Sequence, residues 1–196
     1  MSLIKVYHGA SCKIENPSFD YGRVDTDFGL GFYVTADFIK AEKWASRKKV
    51  SIVNEYVLDT TKLKIYDFGL DEEWLDFIID NRNLYEPSEQ YKAYDILSSA
   101  TADDKLFSTI EQYEDGLLSA ELAVKILNCI EIGEQLCIKT QKALDSLKYI
   151  GCIELSIDRK QELTELNRKD RIKANKLSSE MIRGANRKNR GRGMSL

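Results

Sequence analysis

Apolar and polar residues alternate from Ile4 to His8 and the pattern stops at Gly9, the period of a half-buried strand. The same period, or a short apolar run bounded by turn residues, recurs at 32–34, 50–58, 63–66, 94–97, 134–139 and 149–155, and predicts further strands. Between 32–34 and 50–58 the spacing changes to three and four. Phe38, Ala41, Trp44 and Ala45 then share one face of a helix over about 37–48, with Thr35 as its cap. Other helices are predicted over 70–79, whose acidic start suits the positive end of a helix dipole, over 106–113 with Asp103 as cap, from Ser119 to about 130, and from Thr140 through Leu147. Strands and helices interleave irregularly, which predicts an α+β fold rather than a doubly wound parallel sheet.

From Asp158 onward the apolar content thins. Leu163, Leu166, Leu177 and Met181 leave a partial stripe that predicts a helix over roughly 159–183, and the glycine- and arginine-rich stretch 184–193 reads as a solvated end. A chain of 196 residues is slightly long for one core, so a body at 1–157 and a basic helical tail at 158–196 are expected. Charge draws the same line: the net −3 divides into 17 Lys/Arg against 27 Asp/Glu before residue 158, and 12 against 5 after it. Lys and Arg at that density attract phosphate, but no aromatic residues interleave with them as in nucleic-acid motifs. Docking on the acidic body, or on an acidic partner, therefore stands beside nucleic-acid contact.

Composition removes several chemistries. No run approaches the roughly 18 apolar residues of a membrane span, and the chain opens directly on a strand pattern, so no membrane association and a cytoplasmic location are expected. Cys12, Cys129, Cys137 and Cys152 form no Cys-x-x-Cys pair and read as small core residues in a reducing compartment. His8 is the sole histidine, so a two-histidine metal site cannot be built, and no Gly-x-Ser-x-Gly elbow accompanies it. No metal is expected. Asp27-Phe28-Gly29 spells the kinase magnesium motif, yet the kinase phosphate loop and His-Arg-Asp loop are both missing from the sequence.

Three short segments carry the candidate chemistry: Val6-Tyr7-His8-Gly9-Ala10, Asp27 to Tyr33, and Gly133 to Ile138. In order, spacing and residue type they resemble the ADP-ribosyltransferase superfamily in its His-Tyr-Glu branch, and more closely the bacterial family of uncharacterised proteins DUF3990, over nearly all of residues 4–155. The resemblance implies a mixed fold with two small antiparallel sheets flanked by helices, and NAD as substrate. It implies that His8 hydrogen-bonds a hydroxyl of the adenosine ribose and that the backbone of Gly9 holds the nicotinamide carboxamide. Glycine suits that task because no Cβ blocks the approach of a ligand.

Tyr33, in Gly29-x-Gly31-x-Tyr33, would stack on the nicotinamide ring, an attraction of about 0.5–2 kcal/mol for a cation on an aromatic face. Trp44, eleven residues on, falls at the second stacking aromatic of related enzymes; as a plain helix residue it would be part of the buried face. Ala41 replaces a serine that poly-ADP-ribosylating members carry. Glu134 matches the catalytic acid, accepting from the 2′-hydroxyl of the nicotinamide ribose and stabilising positive charge on the ribose as the glycosidic bond lengthens. Gln135 adjoins it, and a shift of one residue would turn the side chain to the other face of its sheet. Arg23 could meet the pyrophosphate with its fork of donors, or stand as an exposed loop arginine.

The function these residues imply is mono-ADP-ribosyl transfer from NAD to an unknown protein or nucleic-acid acceptor. Two alternatives use the same fold: an NAD glycohydrolase acting as a toxin with a neutralising partner protein, and a catalytically inert module that binds NAD or a partner.

Overall fold

The structure is a computed structural model that describes residues 2–22, 24, 26–82, 89–101, 109–129 and 133–192, with side chains as far as Ala185 in the last helix. It is an α+β fold. Among the described residues seven strands and six α-helices follow in the order β1 (Leu3–Ala10), β2 (Phe32–Val34), α1 (Phe38–Ser46), β3 (Ile52–Asp59), β4 (Ile65–Asp67), α2 (Glu72–Arg82), β5 (Ile96–Ala100), α3 (Thr109–Glu114), α4 (Ala120–Leu127), β6 (Glu134–Ile138), α5 (Gln141–Asp145), β7 (Leu147–Glu154) and α6 (Ile157–Arg192). Short 3-10 turns lie at Phe19–Tyr21 and Glu89–Ala93.

The strands form two sheets, β1-β3-β7 and β2-β6-β5-β4. Alternation along each strand sorts its side chains onto two faces. Val6, Tyr56 and Leu58 of the first sheet meet Phe32, Val34, Ile96 and Ile138 of the second in a core between the sheets. The outer face of the second sheet, with Leu97 and Cys137, packs under Trp74, Leu75 and Ile78 of α2 and Ala123 and Leu127 of α4. The outer face of the first sheet meets Ala41 and Ala45 of α1 at Val53. A main-chain bridge between Tyr7 and Thr35 ties β1 to the end of β2, joining the two sheets.

The resemblance implied two antiparallel sheets. The first is antiparallel, but β4 pairs with β5 in parallel, Ile65 opposite Ile96. Helix α2 lies between these strands in sequence and returns the chain to its starting end, as parallel pairing requires. The cap of α1 also differs: Asp37, not Thr35, accepts from the Lys40 amide at 3.2 Å. Thr35 Oγ1 instead accepts from the Asp37 amide and donates to the Glu134 carbonyl. Ser119 and Thr140 cap α4 and α5 as expected, but α5 ends at Asp145 and β7 begins at Leu147. Of the four cysteines only Cys137 is a core residue; Cys12 and Cys152 are exposed and Cys129 is half-buried. The Asp103 cap and Arg23 lie outside the described residues.

Helix α6 spans 36 residues, passing the expected end near 183. Its Arg159 forks onto the buried carboxylate of Glu42 on α1, Lys43 of α1 reaches Asp170 at 2.7 Å, and Ser178 lies 3.4 Å from the Cys129 sulfur after α4. Leu163, with no exposed surface, is the apolar anchor of this docking. Truncation to alanine is expected to cost about 2–4 kcal/mol, read as a lower urea midpoint with unchanged slope; an unaltered midpoint would mean that α6 adds nothing to the stability of the body.

Candidate functional site

The candidate residues gather where β1, β2, α1 and the start of β6 meet. Nδ1 of His8 donates to the Tyr33 carbonyl at 2.6 Å, and the imidazole stacks on Phe32 with ring centres 4.5 Å apart. A carbonyl can only accept, so this bond puts the proton of the neutral ring on Nδ1 and leaves Nε2 as an acceptor. Burial pulls the His8 pKa below its usual 6.5, against the opposing Tyr33 bond and with Lys48 adding to the fall. The ring is therefore neutral at pH 7.

Gly9 is required by packing. A Cβ there would strike the Ala41 carbonyl oxygen and stand 2.7 Å from the Ala45 nitrogen and 2.8 Å from the Trp44 Cβ. The space expected for a ligand on the Cβ side is filled by the backbone of α1. The main chain of Gly9 is another matter: Tyr7 exchanges bonds of 2.8 and 3.0 Å with Thr35 on the edge turned away from β3. Strand alternation points the amide and carbonyl of Gly9 to that same edge, where β1 and β2 diverge.

Trp44 is half-buried, whereas Ala41 and Ala45 are sealed. The indole lies at the border of the buried face of α1, partly open to solvent. Beside it lies a residue that sequence reasoning missed. The stem of Lys40 is buried, its Nζ stands 5.4 Å from the Trp44 ring centre, and it donates to Thr101 Oγ1 at 2.5 Å and to the carbonyls of Gly133 and Glu134 at 2.6 and 2.7 Å. All three ammonium protons are used, and they fasten α1 to the start of β6. The only sequence signal was its place four residues before Trp44, on the same side of the helix. Its burial was invisible.

Burial lowers the Lys40 pKa from 10.5 to about 7, with the carboxylates of Asp27, Asp37 and Glu134 opposing the fall. From pH 7 upward the folded chain releases a proton that the unfolded chain keeps to 10.5, so the contribution of Lys40 to stability rises with pH. Between pH 7 and 8.5, before the raised thiol of Cys137 and the tyrosines titrate against it, this rise is expected to be about 1.5 kcal/mol. Urea unfolding at both pH values would show it in the parent and not in Lys40→Met; equal pH dependence in the two would count against the shift.

Glu134 is exposed at the first position of β6, directly after Gly133 at φ +77°, a left-handed conformation that favours glycine. Its carbonyl accepts from both Thr35 and Lys40, so the main chain is held while the carboxylate stays in solvent. Gln135 is buried and donates to Asp27 at 2.8 Å; Asp27 also accepts from Arg82 at 2.7 and 3.2 Å. This clasp joins the turn before β2 to α2 and β6. It too escaped the sequence reading, because its members lie 55 and 108 residues apart.

Tyr33 has its hydroxyl committed: it donates to the Gly29 carbonyl at 2.7 Å, accepts from the Phe28 amide at 3.1 Å and meets Thr26 Oγ1 at 2.6 Å. Desolvation holds its pKa well above 10. Its ring, parallel to Phe28, is what remains for a ligand.

His8 thus touches the main chain of Tyr33, Gly9 touches Trp44, and Lys40 links Trp44 to Glu134. The rings of His8 and Tyr33 are not in contact: the first lies on Phe32, and the second faces the opposite side of β2. Tyr33 pairs with Cys137, so Gln135 rather than Glu134 shares its face of the sheet. Among the described residues no group of three or more His, Cys, Asp or Glu is arranged to hold a metal, and no helix is long and apolar enough to cross a membrane.

Neither the curated proteins nor the solved structures give a match to this chain. The model of the family described as "Protein of unknown function (DUF3990)" matches residues 4–149, from the first residues of β1 into β7 and across every candidate residue named above. The chain belongs to the DUF3990 family.

Proposed function

We propose that this protein takes NAD as substrate, breaks its nicotinamide–ribose bond and passes the ADP-ribose to a macromolecular acceptor, as the resemblance to ADP-ribosyltransferases implies. The observation that carries the reading is that His8, the main-chain edge of Gly9, half-buried Trp44 and exposed Glu134 lie along α1 and the strands packed against it. Each offers the chemistry its role needs. Neutral His8 presents Nε2, an acceptor for a ribose hydroxyl. The amide and carbonyl of Gly9 match the complementary acceptor and donor of a carboxamide. The Trp44 indole offers a face for the nicotinamide ring, which is cationic while attached to the sugar, and Tyr33 offers its ring while its hydroxyl braces the preceding turn.

Glu134 supplies the charge. As the bond to nicotinamide lengthens, its electron pair leaves with the ring and positive charge develops on the ribose, where a carboxylate stabilises it. A lone pair of the acceptor then forms the new bond to the anomeric carbon, and the acceptor loses its proton. No metal takes part in these roles.

Incubation of the full chain with NAD labelled in its adenylate portion tests the reading. Release of nicotinamide together with label on a protein or nucleic acid supports it. Free ADP-ribose without a labelled acceptor selects a glycohydrolase, the toxin reading with its neutralising partner, and NAD binding without turnover selects an inert module. Neither binding nor turnover overturns the reading.

A further inference from the structure

Opposite the face that α6 lays on the body runs a pattern that the NAD reading leaves unused. Positions 169, 173, 176, 180, 183, 187 and 190 follow at alternating steps of four and three, the spacing of one stripe along a helix. Lys169, Lys173, Lys176, Glu180, Arg183, Arg187 and Arg190 occupy them, six bases and one acid. The backbone stays helical through the whole span, so the stripe runs for about 32 Å at 1.5 Å per residue. The buried residues Leu163, Ala174 and Ser178 lie about half a turn round the helix from it.

Among the described side chains of this stripe, none is paired with the acidic body. Among the described residues, the ion pairs joining α6 to the body are Arg159 to Glu42 and Asp170 to Lys43, and in the second the helix contributes the acid. Lys169, 67% exposed, reaches only Glu165 of its own helix, at 3.9 Å, and Lys173, Lys176 and Arg183 are exposed. Lys169, Lys173, Lys176 and Arg183 stand exposed with Glu180 the one acid among them, and a run of like charge that Arg187 and Arg190 continue in the sequence calls for an extended polyanion. A helix lying on an anionic membrane would need a continuous apolar face beside its bases; Leu163 and Ala174 are buried against the body, and Leu166 and Ile172 are scattered exposed residues rather than such a face.

We propose that this stripe binds the phosphate backbone of a nucleic acid. The contact is electrostatic and sequence-independent, with lysines and arginines replacing the counterions condensed on the strand. It stands whether or not NAD is the substrate.

The test is fluorescence anisotropy of the full chain on a short labelled DNA duplex and on an RNA of the same sequence, with polyglutamate as competitor. Binding is expected at about 50 mM salt and should weaken steeply towards 200 mM; the two nucleic acids distinguish the source of the phosphates. The variant Lys173→Gln/Lys176→Gln/Arg183→Gln should bind about tenfold or more weakly, with the slope of log affinity against log salt reduced by about 2.7 on duplex. Lys173→Arg/Lys176→Arg should bind as the parent does. The equally neutralising Lys62→Gln/Lys64→Gln/Lys148→Gln, off the stripe, should leave binding and slope unchanged. Absence of binding at low salt, equal losses in the two neutralised triples, or polyglutamate bound as tightly as the duplex would each overturn the proposal, the last pointing to an acidic protein partner.

Discussion

Gly9→Ala is expected to destabilise the protein by about 3 kcal/mol, at the upper end of what a forced overpacking costs. The new methyl would meet the carbonyl of Ala41 and the amide of Ala45, both main-chain atoms of α1, so no side chain can swing aside to relieve it. Either β1 bends away from α1 or the helix lifts as a body, carrying Trp44 and Lys40 with it. For a chain of this size the melting temperature should fall by about 6–12 °C, and urea unfolding should show a lower midpoint. A variant as stable as the parent would mean that α1 does not press on β1 as described.

Glu134→Gln has the opposite character. Folding should be untouched, because Glu134 is exposed and its tertiary bonds run through the main-chain carbonyl. If the proposed chemistry holds, the loss of the carboxylate's charge should lower kcat by about 10²–10³-fold, the usual effect of removing one aligned transition-state partner. The KM for NAD should move little, since the charge it answers develops only as the bond breaks. Nicotinamide release followed at saturating NAD is the measurement. An unchanged kcat would remove Glu134 from the mechanism while leaving the location of the site intact, and a raised KM at constant kcat would make it a binding residue.

Much of this architecture was legible before any coordinates. The alternation at 4–8, the aromatic run 32–34 and the helical spacing of Phe38, Ala41, Trp44 and Ala45 each report a local periodicity, and local periodicity survives into the fold because a face must be buried somewhere. The caps at Ser119 and Thr140 were equally plain, since capping is settled within three residues. Thr35 was misread as a cap because a hydroxyl can serve several partners, and the Glu134 carbonyl that it reaches lies 99 residues away. The parallel pairing of β4 with β5 and the exposure of Cys12 and Cys152 had no local signature either.

From the order of residues alone came the type and approximate bounds of most elements, the division of charge between body and tail, and the three segments that hold the candidate chemistry. Folding decided which atoms fill the space beside Gly9, that Lys40 is drawn inside to bind the start of β6, that Asp27 clasps Arg82 and Gln135, and that Lys169, Lys173, Lys176 and Arg183 of α6 stand exposed away from the face docked on the body. The reason is one of range. Periodicity, capping and turn chemistry act over a few residues, whereas burial and hydrogen-bond pairing depend on partners that only the closed chain brings within a few ångströms.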